Sequence, residues 1–201
     1  MSSDSARAGP SPEPDAAELA RCVRDLVACT ALPALWAGVD EPRVARGVVD
    51  VLASMLRLDV AGIRVPGANG GPAIEAWHPS TGDGPASEAL EVALSALGDG
   101  DAATIALKGG GSREPTLARI VRTTLSVAGT SGVVIVGSTR PDFPSSLDAL
   151  LFRVAVNQAA IALENARLVA DLRDRDRLKD RLITEAEAAR RDAEAANRAK
   201  D

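Results

Sequence analysis

The stretch Asn157-Gln158-Ala159-Ala160-Ile161-Ala162-Leu163-Glu164-Asn165-Ala166-Arg167-Leu168 lies in a run that contains no Pro or Gly from Ser145 to Asp201. Pro144 fixes the entry to this run, and Ser145 or Ser146 can accept hydrogen bonds from its first free backbone N–H groups. The run therefore predicts one continuous helix, roughly 80 Å long at ~1.5 Å per residue. One small domain cannot cover such a helix, so its distal half must find a partner.

Apolar residues recur along this predicted helix at alternating spacings of three and four, the pattern of a coiled-coil seam. Polar residues interrupt the middle of the seam, and a buried Asn there can fix the register and favour a parallel dimer. The alternative is a solvated single helix with many Glu/Arg pairs. The seam residues are Ile161, Asn165, Leu168, Leu172, Arg175, Lys179 and Leu182, and the pattern continues through Ala186, Ala189, Ala193 and Ala196.

Composition restricts the class of protein. With 201 residues and 46% apolar content, the chain can bury one core of ordinary size. A net charge of −5 argues against nucleic acid as the main partner. No run of about 18 apolar residues and no signal peptide is evident, so we expect a cytoplasmic protein without a membrane span. The two cysteines, Cys22 and Cys29, lie on one predicted helical face and agree with a reducing compartment.

The remaining elements predict an α+β fold. Residues 1–14 are rich in Ser, Pro and small residues and predict a disordered tail. A helix then runs to Pro33, and Asp40 caps a second helix. Two strands, a short helix and three further strands follow, and the apolar run at residues 132–137 predicts a central strand covered on both faces. Asp15 and Glu18 mark the start of the first helix. The glycines at 109–111 mark a turn.

The Asn157-to-Leu168 stretch resembles the last helix of a GAF domain, a small-molecule sensing module of bacterial signalling proteins. Gly132-Val133-Val134-Ile135-Val136-Gly137-Ser138 and Arg140-Pro141-Asp142-Phe143-Pro144 precede it in the order of that family. Ala193-Glu194-Ala195-Ala196-Asn197-Arg198-Ala199-Lys200-Asp201 is similar to the linker that runs into the phosphoacceptor helix of many sensor histidine kinases.

The resemblance implies a mainly antiparallel sheet of five or six strands, flanked by helices, with a ligand pocket on one face. It covers residues 40–172, the predicted GAF sensor. The other predicted regions are a tail at 1–14, an N-terminal helix and linker at 15–39, and a coiled-coil signalling helix at 173–201. The resemblance further implies a homodimer joined through its N- and C-terminal helices. A response regulator would then be the partner of a kinase core, whose phosphoacceptor helix we expect after Asp201.

Candidate pocket residues are few. His78 is the only histidine and no nucleophile motif accompanies it, so hydrolase chemistry is not expected. Neither cysteine lies where bilin-binding GAF relatives attach their chromophore, so no bilin and no haem are expected. The ligand is unknown, and no metal site or catalytic residue is predicted. The candidates for polar or aromatic pocket contacts are Trp77, His78, Arg119 and Arg122, each with an alternative role as an edge-strand or surface residue.

Three functions are compatible with these residues. The first is the sensory region of a sensor histidine kinase, which relays ligand or partner binding through a dimeric coiled coil. The second is a non-enzymatic scaffold for dimerisation or docking. The third is a sensor for another output, such as a diguanylate cyclase or a phosphatase. The stretch itself holds no His-Glu phosphoacceptor box and no ATP-binding boxes, so whether the protein is an enzyme depends on the residues beyond Asp201.

Overall fold

A computed structural model describes residues 16–79, 86–107 and 116–198 of the chain. The predicted tail at 1–14 and the glycine turn at 109–111 lie outside these residues. In chain order, the elements are α1 (Ala16–Leu35), α2 (Glu41–Leu56), β1 (Val60–Val65), a short 3-10 turn (Ala68–Gly70), β2 (Ile74–Pro79), α3 (Ala86–Leu97), β3 (Ala102–Leu107), β4 (Thr116–Val127), β5 (Thr130–Ser138) and α4 (Ser146–Arg198).

The five strands form one antiparallel sheet in the order β2-β1-β5-β4-β3. Strand β5 is central, and the side chains of Val134, Ile135 and Val136 are fully buried. An unbroken apolar run is what a strand needs when both faces of the sheet are covered. The predicted α+β fold with a mainly antiparallel sheet is therefore confirmed, with five strands rather than six.

Helices cover the two faces of the sheet unequally. The larger apolar core joins α1, α2 and α4 to one face, and a smaller core joins α3 to the other. The smaller core consists of Val60, Trp77, Leu90, Ala93, Leu97, Ile105, Ala118, Ile120 and Ile135. The face on which a ligand pocket was expected is thus in contact with a helix.

The centre of the α3 face is tightly packed around one glycine. A Cβ atom placed on Gly62 would lie 2.3 Å from Cε3 of Trp77 and 2.7 Å from Cδ2 of Leu90, closer than van der Waals contact allows. Trp77 pairs with Gly62 in the β1–β2 register, so its indole ring lies directly over the missing side chain. No ligand fits between these three residues.

Polar side chains fix the starts of two helices. The side chain of Asp40 accepts a hydrogen bond of 3.0 Å from the backbone N–H of Arg43, which confirms the predicted cap of α2. At α4, the Ser145 hydroxyl accepts from the Asp148 N–H at 3.1 Å, and the Asp148 carboxylate accepts from the Ser145 N–H at 3.0 Å. This reciprocal pair orients the first turn of the longest helix.

The prediction that Pro33 ends the first helix is wrong. Helix α1 continues to Leu35, with Pro33 inside it, and the Trp36 N–H bonds to the Leu32 carbonyl at 3.2 Å. Because Pro33 lies in the last turn, its missing N–H removes a single helical hydrogen bond near a terminus, where the loss is small.

Helix α4 is continuous over 53 residues and confirms the predicted single helix. Residues 146–191 are long and apolar enough to cross a membrane by length and composition, but that is weak evidence, because a helix in a soluble core has the same composition. Its first half packs on the sheet, whereas every side chain from 170 to 191 is exposed. No break marks the predicted domain boundary between residues 172 and 173.

We expect Gly62→Ala to lower the free energy of unfolding by about 1–3 kcal/mol, because the added methyl group would overlap the Trp77 ring and Leu90. Gly100→Ala is the matched control. Its Cβ would make a tight contact of 3.3 Å with the Leu97 carbonyl oxygen but would not overlap it, so its effect should be the smaller one. Urea unfolding of both variants measures the difference. Equal stability of the two variants would contradict the close packing of α3 on the sheet.

Candidate functional site

The four candidate pocket residues lie on opposite faces of the sheet. Trp77 and Arg122 point toward α3, because Trp77 belongs to the smaller core and Arg122 alternates in phase with Ala118 and Ile120. His78 and Arg119 follow the other phase and point toward the α2 and α4 side. The four candidates therefore cannot all line one pocket on a single face of the sheet.

Each residue of this set has a protein partner. Trp77 is 7% exposed and packs in the core. Arg122 donates to the carbonyls of Gly98 at 2.9 Å and Asp99 at 3.0 Å, just beyond the C-terminal end of α3. His78 Nδ1 lies 3.5 Å from Asp50 Oδ1 on α2, and Arg119 donates to the Phe143 carbonyl at 3.3 Å.

Arginines of the sheet hold α3 at two places. Arg64 of β1 bonds to Glu75 of β2 at 2.6 Å and to Glu91 of α3 at 2.7 Å. Glu91 lies in the middle of α3, and Arg122 holds the segment just beyond its C-terminal end through the carbonyls of Gly98 and Asp99. Helix α3 is thus fastened to the sheet by charge-assisted hydrogen bonds as well as by apolar contact.

The predicted seam of α4 lies on the solvent side of the helix. On this solvent face the apolar members are about half exposed, from 45% at Ile161 to 59% at Leu172, and Asn165, Arg175 and Lys179 are exposed as well. At ~100° per residue, this face lies opposite the stripe of Ala155, Ala159, Leu163 and Ala166 that packs into the domain. Helix α4 therefore carries two apolar faces on opposite sides.

The heptad assignment missed two residues of this solvent face. Leu178 is 57% exposed and Ile183 is 47% exposed, and both flank Leu182 on the helix surface. Together with Arg175, Lys179 and Ala186 they line one open apolar surface. A search restricted to two positions per heptad skips such flanking residues, whereas a wider apolar stripe would have included them.

Helix α1 also divides its apolar residues between two surfaces. Cys22, Cys29 and Leu32 are buried against the domain. Leu19, Val23 and Val27, spaced four residues apart, are 52–65% exposed. Helices α1 and α4 pack side by side, so the domain presents exposed apolar residues on both.

A buried arginine, Arg167, ties α4 to the rest of the domain just before the helix leaves it. Arg167 is 6% exposed, and its Nε donates to Glu41 Oε2 at 2.8 Å. Its Nη1 donates to the Val127 carbonyl at 3.2 Å and to Thr130 Oγ1 at 3.1 Å, and its Nη2 donates to the Pro66 carbonyl. Arg167 thus bonds to the first residue of α2, to the β4–β5 turn and to the residue after β1.

The cysteines offer no reactive site. Both are buried and free, and Cys29 Sγ lies 3.3 Å from Met55 Sδ. Burial, and to a smaller degree the neighbouring Asp25 carboxylate, raises the pKa of the Cys29 thiol, which keeps it protonated and unreactive at neutral pH. Within residues 16–79, 86–107 and 116–198, no three His, Cys, Asp or Glu side chains are grouped to hold a metal ion.

The antiparallel sheet, with α3 on one face and α1, α2 and α4 on the other, agrees with the arrangement that the sequence resemblance implies. The chain has a GAF-like fold. No protein-family model matches the chain, and neither does any curated protein. It is similar to the solved structure of a GAF domain assigned to a sensor histidine kinase of Pseudomonas syringae pv. tomato, at 19% identity, with a TM-score of 0.49 and coverage of 78% of this chain and 94% of that one.

Two further solved structures are similar at a lower level. One is the GAF domain from an Acinetobacter phosphoenolpyruvate-protein phosphotransferase, at 12% identity, with a TM-score of 0.43 and coverage of 78% and 98%. The other is free methionine-R-sulfoxide reductase from Neisseria meningitidis, at 13% identity, with a TM-score of 0.46 and coverage of 79% and 95%. Neither of these likenesses assigns an activity to this chain.

We expect Arg167→Gln to lower the free energy of unfolding by about 3–5 kcal/mol, because it leaves the Glu41 carboxylate, whose side chain is only 12% exposed, without a cation. Arg177→Gln is the matched control. Arg177 pairs with Asp174 on the same helix, both side chains are 73% exposed, and the loss should stay within about 0.5 kcal/mol. Urea unfolding compares the two variants, and equal effects would show that Arg167 does not anchor α4.

Proposed function

We propose that this chain is the sensory region of a cytoplasmic two-component sensor histidine kinase, acting as a homodimer. The observation that carries the proposal is the pair of opposite apolar faces on one uninterrupted helix. One face of α4 is built into the GAF-like domain, and the other faces solvent from Ile161 to Ala186. A helix of this kind can transmit a change in the domain to whatever its far end is joined to.

Dimer formation would bury the apolar side chains on the solvent face of α4. Exposed Leu168, Leu172, Leu178, Leu182 and Ile183 lie on an open helix surface without a neighbour among the described residues. Pairing two copies in parallel would bury these side chains, at ~25 cal/mol for each Å² of apolar surface removed from water. The exposed Leu19, Val23 and Val27 of α1 extend the same proposed interface.

Arg175 and Lys179 make the proposed seam adjustable. Both are charged residues at consecutive seam positions, between Leu172 and Leu182. Burying their charges weakens the pairing locally, so two helix packings of similar free energy become accessible. A ligand with a differential affinity of about one to three kcal/mol, a typical coupling energy, then shifts the balance between the packings and hence the output of a kinase core acting on a response regulator.

Two other functions use the same surfaces. A dimerisation or docking scaffold would need the seam but no coupling, and the tight packing of α3 over Gly62 is the observation that favours it. A sensor for a diguanylate cyclase or a phosphatase would use the same helix with a different output. The codons after Asp201 distinguish this last possibility from a kinase.

We expect the double variant Leu172→Glu/Leu182→Glu to be monomeric at a concentration at which the unchanged chain is dimeric. Two carboxylates from each chain would face each other in the seam and oppose its burial. Val92→Glu, which replaces an exposed apolar residue of α3, is the matched control and should leave the dimer intact. Native mass spectrometry reports the stoichiometry, and a monomeric unchanged chain would overturn the proposed dimer.

We expect Arg175→Leu/Lys179→Leu to tighten the dimer at least about tenfold and to lock the output of the intact signalling protein in one state. The substitutions complete the apolar seam and lower the free energy of one helix packing relative to the other. Autophosphorylation of the full-length protein, measured with and without its stimulus, tests this outcome. An unchanged response would contradict the role given to the two polar seam residues.

A further inference from the structure

A groove of about 310 Å³ lies on the sheet face opposite α3, between strand β4 and the first two turns of α4. Its volume falls at the lower end of the range of small-molecule sites, about 300–1,000 Å³. It is lined by Asp101, Ala102, Val121, Arg122, Thr123, Val136, Phe143, Pro144, Asp148, Ala149, Phe152 and Arg153. The groove is separate from the α3 face, where the sequence resemblance places a ligand.

The floor of the groove is apolar and aromatic. Val136 is fully buried, Phe143 is 1% exposed and Phe152 is 7% exposed. The chain contains only two phenylalanines, and both line this groove. Their rings are almost completely covered by protein, so a ligand in the groove would meet mainly the half-buried Val121 and Pro144 beside them, an apolar surface that suits a flat apolar ligand.

The charges around the groove leave one cation unpaired. Asp148 pairs with Arg140 at 2.8 Å, and Asp101 lies 3.6 Å from Arg122, whose side chain is directed toward the α3 face. Arg153, by contrast, is exposed and has no ion-pair partner in the part of the chain that the structure describes. Its helical neighbours at i−4 and i+4 are Ala149 and Asn157, so no acidic side chain of α4 stands beside it at these positions.

We propose that this groove binds a small aromatic carboxylate. The ring of the ligand lies against Val121 and Pro144, beside the buried Phe143 and Phe152, and its carboxylate pairs with the guanidinium of Arg153. The half-buried Thr123 lines the same groove, and its hydroxyl has no hydrogen-bond partner within the described residues, so it can donate to the second carboxylate oxygen. Binding needs neither the dimer nor a kinase core.

A ligand bound in the groove would contact α4 directly. Four of the lining residues, Asp148, Ala149, Phe152 and Arg153, belong to the first two turns of that helix. A molecule held between them and β4 contacts the sheet and the helix at once, so it stabilises one placement of the helix relative to the sheet. This consequence rests on the proposed sensory function, whereas the binding itself does not.

The test uses benzoate as the probe and benzyl alcohol as its neutral analogue, with ligand-observed NMR on the full chain. We expect a dissociation constant on the order of 1 mM for benzoate, a value typical of so small a ligand, and about tenfold weaker binding of benzyl alcohol. Arg153→Gln should weaken benzoate about tenfold and leave benzyl alcohol unchanged, because only the carboxylate uses the guanidinium.

Two further variants complete the design. Ala149→Leu fills the groove from an exposed helical position that tolerates leucine, and it should abolish binding of both probes while circular dichroism stays unchanged. Arg181→Gln removes the same charge from the exposed part of α4 and should have no effect. Lack of benzoate binding up to about 10 mM, or binding that neither groove variant weakens, would overturn the proposal.

The binding test is independent of the dimer test. The Leu172→Glu/Leu182→Glu variant changes residues outside the groove and should bind benzoate as the unchanged chain does. If the unchanged chain binds benzoate but is monomeric, the proposed relay through α4 is refuted and the proposed ligand site still stands. If the unchanged chain forms the dimer but does not bind benzoate, the proposed ligand site is refuted and the proposed relay through α4 still stands.

Discussion

The buried guanidinium of Arg167 is the interaction on which the arrangement of this chain depends. It bonds to Glu41 of α2, to Val127 and Thr130 at the β4–β5 turn, and to Pro66 after β1. These partners come from three separate parts of the chain and meet at one side chain of α4. A charged group can stay buried only where its hydrogen-bonding capacity is largely used, as it is here. The position and rotation of α4 are therefore fixed at the point where the helix leaves the domain.

Beyond that point the surroundings of the helix change. Up to Ala166, apolar contact with the sheet and with α1 and α2 decides which side of the helix is buried. From residue 170 to 191 every side chain is exposed, and the apolar stripe of that part has no neighbour among the described residues. This exposed apolar stripe is the surface that we propose for pairing with a second copy of the chain. The domain and the exposed stripe thus belong to one continuous helix. Its first half packs against the domain, and its second half is exposed to solvent.

Local chemistry explains which features could be predicted from the sequence. The continuous helix followed from the absence of Pro and Gly after Pro144, the buried β5 strand from its apolar run, and the α2 start from the Asp40 cap. Each of these depends on residues close together in the chain.

Non-local contacts explain what could not be predicted. Arg167 and Glu41 are 126 residues apart, so no spacing rule connects them. Because side chains alternate along a strand, Trp77 and His78 lie on opposite faces of the sheet. Which of the two faces α3 depends on the packing of α3 over Gly62, where Trp77 lies. The groove beside Phe143 and Phe152 likewise requires β3, β4 and α4 to meet, which the order of elements alone does not determine. Leu178 and Ile183 were missed because the assumed seam was narrower than the exposed stripe.

The separation between the anchor and the far end of α4 has a mechanical consequence. Arg167 lies 31 positions before Arg198, about 46 Å along the helix axis at ~1.5 Å per residue. A tilt of only about 5° at the fulcrum would sweep the tip through roughly 4 Å, comparable to most of a helical turn. Because the helix is continuous, the same tilt would move its start at Ser146, 21 residues before Arg167, by roughly 3 Å in the opposite direction. A movement of that size where the helix meets the sheet would thus reach the far end of α4.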